Sequence, residues 1–171
     1  MAVVFELFDN SDEILKAMRE QVEAGLEACG VTCEGYAQDN VTAGVPRHGG
    51  SWSTSQGAAG LKGSINHEVN MGNKEVQIGT NNDHAIYNEL GTGIYAGGGG
   101  GWWVYVPGGG GGGKAKRYSE QKARQVVAIL QSKGIDAHMT QGMSALHFLK
   151  NAMANHIDEY KQILKEQLKG G

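Results

Sequence analysis

The feature that most constrains the fold is a regular apolar stripe near the N-terminus. Its residues recur mainly at steps of three and four, the spacing that places side chains on one face of an α-helix. The members are Ile14, Leu15, Met18, Val22, Leu26, Cys29, Cys33, Tyr36, Ala37 and Val41. Asn10 and Glu13 are placed like the capping box that starts a helix. The alternative is a break near Gly30, but the stripe keeps its phase there, so we predict one long helix.

An antiparallel hairpin is predicted after the helix. Residues 42–60 are rich in Gly, Ser and Thr and predict a long loop. Beyond it, apolar and polar residues alternate over 64–69 and again over 76–79, with Asn70–Asn73 between them. Alternation around a Gly/Asn turn is typical of paired antiparallel strands. Residues 81–93 predict a loop with one helical turn.

The second half predicts more strands and two helices. Trp102–Val106 is a short aromatic and β-branched strand. Ser119 can cap a helix whose inner face is Ala123, Val126, Val127 and Leu130, with Gly134 at its end. Residues 135–139 form a candidate short strand. A final helix is predicted from the apolar series Leu146, Leu149, Met153, Ile157, Tyr160, Leu164 and Leu168.

This order of elements predicts an α+β fold. A long N-terminal helix and a C-terminal helix pack on one face of a small antiparallel sheet. The 171 residues suit a single domain, 1–171. The 28 glycines include two pure runs, Gly97–Gly101 and Gly108–Gly113. They predict flexible insertions at about 42–60 and 94–117.

Charge and cysteine content narrow the function classes. The net charge of −3 gives no strong positive field with which to grip nucleic acid. Two cysteines are too few for a disulfide framework and favour a reducing compartment. The N-terminus lacks the pattern of a signal peptide, and no apolar run is long enough to predict a membrane span.

One motif suggests a nucleotide-binding enzyme. The segment Gly108–Lys114 satisfies part of the phosphate-loop pattern G-x-x-x-x-G-K-[ST]. However, Ala115 stands where Ser or Thr would hold magnesium, and the best helix start is Ser119, well past the lysine that should open the helix. A flexible linker explains the run better, so we predict no enzyme and no cofactor.

The metal and catalytic candidates also have plainer explanations. Cys29 and Cys33 share a helix face but have no second ligand pair at zinc-site spacing, so a core position is favoured. The six histidines form no known catalytic motif and are predicted as surface or hairpin residues. Trp102 and Trp103 must face opposite sides of a strand. One can enter the core, while the other needs a loop of its own domain or another chain.

Three stretches together resemble one family, the tail-completion or head–tail joining proteins of long-tailed double-stranded-DNA bacteriophages. They are Leu61–Ile65, similar to the entry into the family's first strand; Ile78–Thr92, which contains I-G-T-N and Y-x-E-L-G-T; and Gly142–Ala152, which contains G-M-x-x-x-x-F-L-x-x-A. The middle stretch is the most specific. The chain departs from the family at Ala58-Ala59, in the long loop 42–60 and at Ala145–His147, and the resemblance says nothing about residues 94–134.

The resemblance implies a structural role without catalysis. Such proteins share an α+β fold and form rings, commonly of six copies. The rings join the tail tube to the connector beneath the capsid portal, and the genome passes through them without sequence-specific binding. The expected partners are copies of the same chain, head connector proteins, and tail terminator or tail-tube proteins. The expected location is the virion neck, after synthesis in the bacterial cytoplasm.

Candidate contacts between subunits or rings come from the middle stretch and the aromatic strand. They are Tyr87, Glu89, Leu90, Thr92, Trp102, Trp103, Tyr105, Lys114 and Arg117. We predict that the aromatic strand, tethered between glycine runs, docks onto a neighbouring subunit or ring. The alternatives are the nucleotide-binding enzyme and a module that binds a peptide or sugar through the aromatic patch.

Overall fold

The N-terminal helix is continuous. The computed structural model describes residues 8–44, 58–96, 100–106 and 116–169. Helix α1 spans Ser11–Gly44, 34 residues, and confirms the prediction of a single helix. The predicted capping box is replaced by Asp9, whose carboxylate accepts the Ser11 backbone N–H at 3.0 Å. Asp9 therefore supplies an acceptor for one of the free amide groups at the start of the helix.

The first half contains a short helix and the predicted hairpin. Helix α2 spans Ala58–Ser64, strand β1 Ile65–Asn70 and strand β2 Glu75–Thr80. The strands pair antiparallel from Ile65 opposite Thr80 to Asn70 opposite Glu75, as predicted. The predicted loop 42–60 is wrong at both ends, because α1 runs to Gly44 and α2 begins at Ala58. Leu61, predicted to enter the first strand, lies instead on α2 and is buried there. The rest of that loop, 45–57, lies outside the described residues.

The second half adds a three-stranded sheet. Helix α3 spans Ala85–Leu90, followed by a 3-10 turn at Gly93–Ala96. Strand β3 (Trp102–Tyr105) lies between β4 (Arg117–Tyr118) and β5 (His138–Thr140), antiparallel to both. Helix α4 spans Glu120–Ser132, and the Ser119 hydroxyl accepts the Lys122 N–H, as predicted. The predicted strand at 135–139 is shifted to 138–140.

The predicted final helix is two helices. Helix α5 spans Phe148–Asn155 and α6 spans Ile157–Lys169. The helix breaks at His156, whose backbone leaves the helical region at φ −120° and ψ 18°. The His156 ring stacks on Tyr36 of α1 with ring centroids 3.4 Å apart. This contact explains why a continuous apolar series is interrupted there.

The C-terminal helices run back along α1. Asn40 donates to the Phe148 carbonyl at the start of α5. Further along, Cys29 lies against the Tyr160 carbonyl, and Gly25 packs against Leu164 of α6. On its other side α1 contacts the hairpin at Gly30, where a Cβ would overlap the His67 ring. The two glycines therefore allow close packing, which offsets their poor helix propensity.

The core lies where α1, α2, the hairpin and α5 meet. Its buried members are Cys33, Ala37, Val41, Leu61, Ile65, Ala85, Leu146, Phe148 and Ala152. The fold is α+β, with a long N-terminal helix, two small antiparallel sheets and C-terminal helices. Within the described ranges, no helix is both long enough and apolar enough to cross a bilayer.

Candidate functional site

Helix α3 presents three large apolar side chains to solvent. Ile86 is 58% exposed, while Tyr87 and Leu90 are each 53% exposed. The inner side of the same six-residue helix consists of Ala85 and Asn88, both buried. Clustered apolar side chains on a folded surface commonly mark a protein contact site. We call Ile86, Tyr87 and Leu90 the α3 surface.

Backbone hydrogen bonds hold α3 and the residues after it against the segment 141–147. Leu146 donates to the Asn88 carbonyl at 2.8 Å, and His147 donates to the Glu89 carbonyl at 3.2 Å. Beyond the helix, Thr92 donates to the Met143 carbonyl at 2.8 Å. These bonds fix the α3 surface to the segment that leads into α5.

Glu89 caps α5 from a different helix. Its two carboxylate oxygens accept the backbone N–H groups of Leu149 at 2.9 Å and of Lys150 at 3.1 Å. His147, the residue before α5, has a left-handed backbone and its side chain makes no capping bond. Because the first amide groups of a helix need acceptors and favour negative charge, Glu89 supplies what His147 does not. The carboxylate therefore joins α3 to α5.

Gly91 and Thr92 complete this support. Gly91 has φ +76°, and a Cβ there would lie 2.7 Å from the Met143 carbonyl oxygen. A glycine is therefore required both by the backbone conformation and by the close approach of the chain. The Thr92 hydroxyl accepts the Met143 N–H at 2.9 Å. The Glu-Leu-Gly-Thr segment thus contains three supporting residues and one exposed residue, Leu90.

A groove of about 450 Å³ lies beside the α3 surface. Its apolar lining includes Ile86 and Leu90 of α3 and Leu149 of α5. Asp83, an exposed residue just before α3, lies at its edge. The groove is open to solvent and suits an apolar side chain from another protein better than an enclosed small ligand.

The structure divides the residues predicted from the middle stretch. Tyr87 and Leu90 are exposed and available for contact, whereas the polar atoms of Glu89 and Thr92 bond within the chain. Sequence reasoning missed Ile86, although its position four residues before Leu90 places both on one side of a helix. It also missed the buried Asn88, whose side-chain amide donates to the His84 carbonyl.

The aromatic residues of β3 are partly covered by their own chain. Trp103 faces Arg117, whose guanidinium lies 5.5 Å from the indole centroid, and also packs against Gly93. Tyr105 lies beside His138, with ring centroids 5.6 Å apart, and is 49% exposed. Because successive side chains of a strand alternate between its faces, Trp102 lies on the face opposite Trp103.

The prediction that β3 docks onto a neighbouring subunit or ring stays a prediction. Both of its edges pair within the chain, with β4 and with β5, so its backbone is not a free edge for another subunit. The three aromatic residues also do not form one patch, because Trp102 faces away from Trp103 and Tyr105. Lys114 and the whole Gly108–Lys114 segment lie outside the described residues.

Cys29 and Cys33 occupy the core as predicted, with exposures of 8% and 7%. Burial raises the pKa of the Cys29 thiol. In the parts of the chain that the structure describes, no group of three or more His, Cys, Asp or Glu side chains is placed to hold a metal ion.

His67 bridges the hairpin to α1 and is more than a surface residue. Its Nδ1 lies 2.8 Å from Glu34 and its Nε2 lies 3.2 Å from Glu27. The hydrogen bond to Glu34 is the main cause that raises the His67 pKa, against the opposing effect of desolvation. This cluster stabilises the packing that places the hairpin on α1.

No protein-family model, curated protein or solved structure matches this chain.

Proposed function

We propose that this chain is a structural protein of the virion neck in a long-tailed double-stranded-DNA bacteriophage. It forms a ring that joins the tail to the head connector and lets the genome pass. The observation that carries the proposal is the α3 surface, an exposed apolar face on a helix held rigidly by its neighbours. A preorganised apolar face suits a contact that must assemble without large rearrangement.

The residues behind the family resemblance support this proposal because two of the three stretches meet in space. Glu89 and Thr92 of the middle stretch contact Leu149 and Met143 of the closing stretch. Their shared result is a fixed α3 surface, and none of these contacts forms a nucleophile–base pair. The pattern of residues therefore favours a scaffold for protein contacts over catalysis.

The proposed partners follow from this role. Copies of the chain contact one another in the ring, one rim meets a head connector protein, and the other meets a tail terminator or tail-tube protein. The net charge of −3 suits a channel through which DNA slides without strong phosphate binding. The proposed location is the virion, after synthesis in the bacterial cytoplasm.

Deletion of the gene from the genome that carries it tests the proposal. Electron microscopy of the resulting particles should show filled capsids and separate tails, and supplying the wild-type chain from a plasmid should restore joined particles. Leu90→Arg should fail to restore joining, whereas Ile129→Arg, a change at an exposed residue of α4, should restore it. Normally joined particles in the deletion strain would overturn the proposal.

A further inference from the structure

A second apolar surface lies on the N-terminal part of α1. Every residue of 11–20 is exposed, so this part of the helix extends past the body of the protein. Ile14, Leu15 and Met18 are 51%, 54% and 55% exposed and continue the stripe that is buried further along the helix. The stripe therefore reaches past the end of the core.

This surface forms a groove with the tip of the hairpin. The groove has a volume of about 590 Å³ and is lined by Leu15, Met18 and Val22 of α1 and by Met71 between the strands. Its charged lining residues are Arg19 and Lys74, both basic. We call it the α1 groove. It suits an apolar partner that carries an acidic residue at its edge.

The α3 surface has those properties. Its three exposed apolar side chains are next to Asp83, and the lining of the adjacent groove contains no lysine or arginine. An α3 surface placed in the α1 groove would bring Asp83 towards Arg19 and Lys74. The two surfaces are thus complementary in both polarity and charge.

The two surfaces lie at opposite ends of the molecule. Met18 lies in the α1 groove, while Asn40, 22 residues further along the same helix, bonds to Phe148 next to the Glu89 cap. At 1.5 Å per residue this separation is about 33 Å. One chain therefore cannot bring its own α3 surface into its own α1 groove without unfolding, but two chains can meet in this way.

We propose that the α3 surface of one copy docks into the α1 groove of the next copy. The contact joins two different surfaces, so it is head-to-tail and leads to a closed ring or an open filament. Its role in the neck rests on the proposed function, but the contact itself is a property of the purified chain. The two surfaces are small, so a single contact is weak and association depends on concentration.

Two arginine variants test the contact, each with a matched control. Leu90→Arg alters the α3 surface and Met18→Arg alters the α1 groove. Val31→Arg on α1 and Ile129→Arg on α4 make the same change at residues that are 57% and 56% exposed. Circular dichroism and thermal melting should show all four variants folded like the wild type, since exposed substitutions have small effects on stability.

Analytical ultracentrifugation over a wide concentration range then separates the outcomes. The wild type and both controls should associate beyond the dimer, while Leu90→Arg and Met18→Arg should each associate about thirtyfold more weakly. An equimolar mixture of these two variants should stop at a dimer, because each supplies one intact surface. This arrested dimer is the signature of a head-to-tail contact.

Three results would overturn the inference. They are a wild type that stays monomeric at every concentration, a groove or α3 variant that associates like the wild type, and a mixture that forms no dimer. These results concern only the contact, whereas the gene deletion concerns the neck. If the purified chain associates as expected but the deletion strain still forms joined particles, the proposed function is overturned and the contact between copies stands.

Discussion

The capping of α5 by Glu89 leads to a quantitative prediction about stability. Glu89→Ala removes the acceptor for two backbone N–H groups, those of Leu149 and Lys150. Loss of a cap costs about 0.5–2 kcal/mol. The upper end applies here because both bonds are made to a charged group between two elements. We therefore expect the free energy of unfolding to fall by about 2 kcal/mol.

The conservative variant Glu89→Gln separates charge from shape. Its single carbonyl oxygen can accept one of the two N–H groups, but the favourable interaction of the carboxylate with the helix dipole is lost, worth about 0.3–1 kcal/mol. We expect a loss of about 1 kcal/mol, half that of Glu89→Ala. Glu23→Ala, at an exposed residue of α1, is the control and should change the stability by less than about 0.5 kcal/mol.

Urea denaturation followed by circular dichroism measures these differences directly. A chain of this size loses about 2–4 °C of Tm per kcal/mol, so Glu89→Ala should melt about 4–8 °C lower. Hydrogen exchange adds a local readout, since the amides of Leu149 and Lys150 should exchange faster in the variant. If Glu89→Ala matched Glu23→Ala and both amides kept their protection, the argument for the cap would be refuted.

Two further predictions concern His67 and the glycines. The folded pKa of His67 is raised above its unfolded value of about 6.5. The contribution of His67 to stability is therefore complete below about pH 6.5 and is lost as the pH rises through the folded pKa. Urea denaturation at a series of pH values should show this fall in stability, and His67→Gln should abolish the fall. An equal fall in that variant would contradict the assignment of the pH dependence to His67. Gly91→Ala should destabilise by more than about 2 kcal/mol because of its φ and the Met143 carbonyl. Gly35→Ala, in open space on α1, should instead stabilise by about 0.5–1 kcal/mol, and equal effects of the two changes in thermal melts would refute this reasoning.

The elements with strong periodicity could be predicted from the sequence. The stripe from Met18 to Tyr36 predicted one helix through Gly30, and the alternation around Asn70–Asn73 predicted the hairpin, because each pattern repeats over many residues. The division of the last helix could not be predicted. It depends on the stacking of His156 on Tyr36, residues that are far apart in the sequence.

The candidate site was only partly predictable for the same reason. The motif drew attention to Tyr87, Glu89, Leu90 and Thr92, but their roles depend on a segment more than fifty residues away in the chain. Glu89 is identified as a cap only once α5 lies beside α3. The pairing of β3 with β4 and β5 could not be predicted either, since it requires separate segments of the chain to come together.

The central claim is that copies of this chain form a ring in a phage neck through the α3 surface. A cryo-electron microscopy map of the assembled neck tests it most directly. We predict a ring of this chain between the head connector and the tail, with Ile86, Tyr87 and Leu90 of each copy covered by the α1 groove of the next. A neck ring built from other proteins, or one in which these three side chains face solvent, would contradict the account.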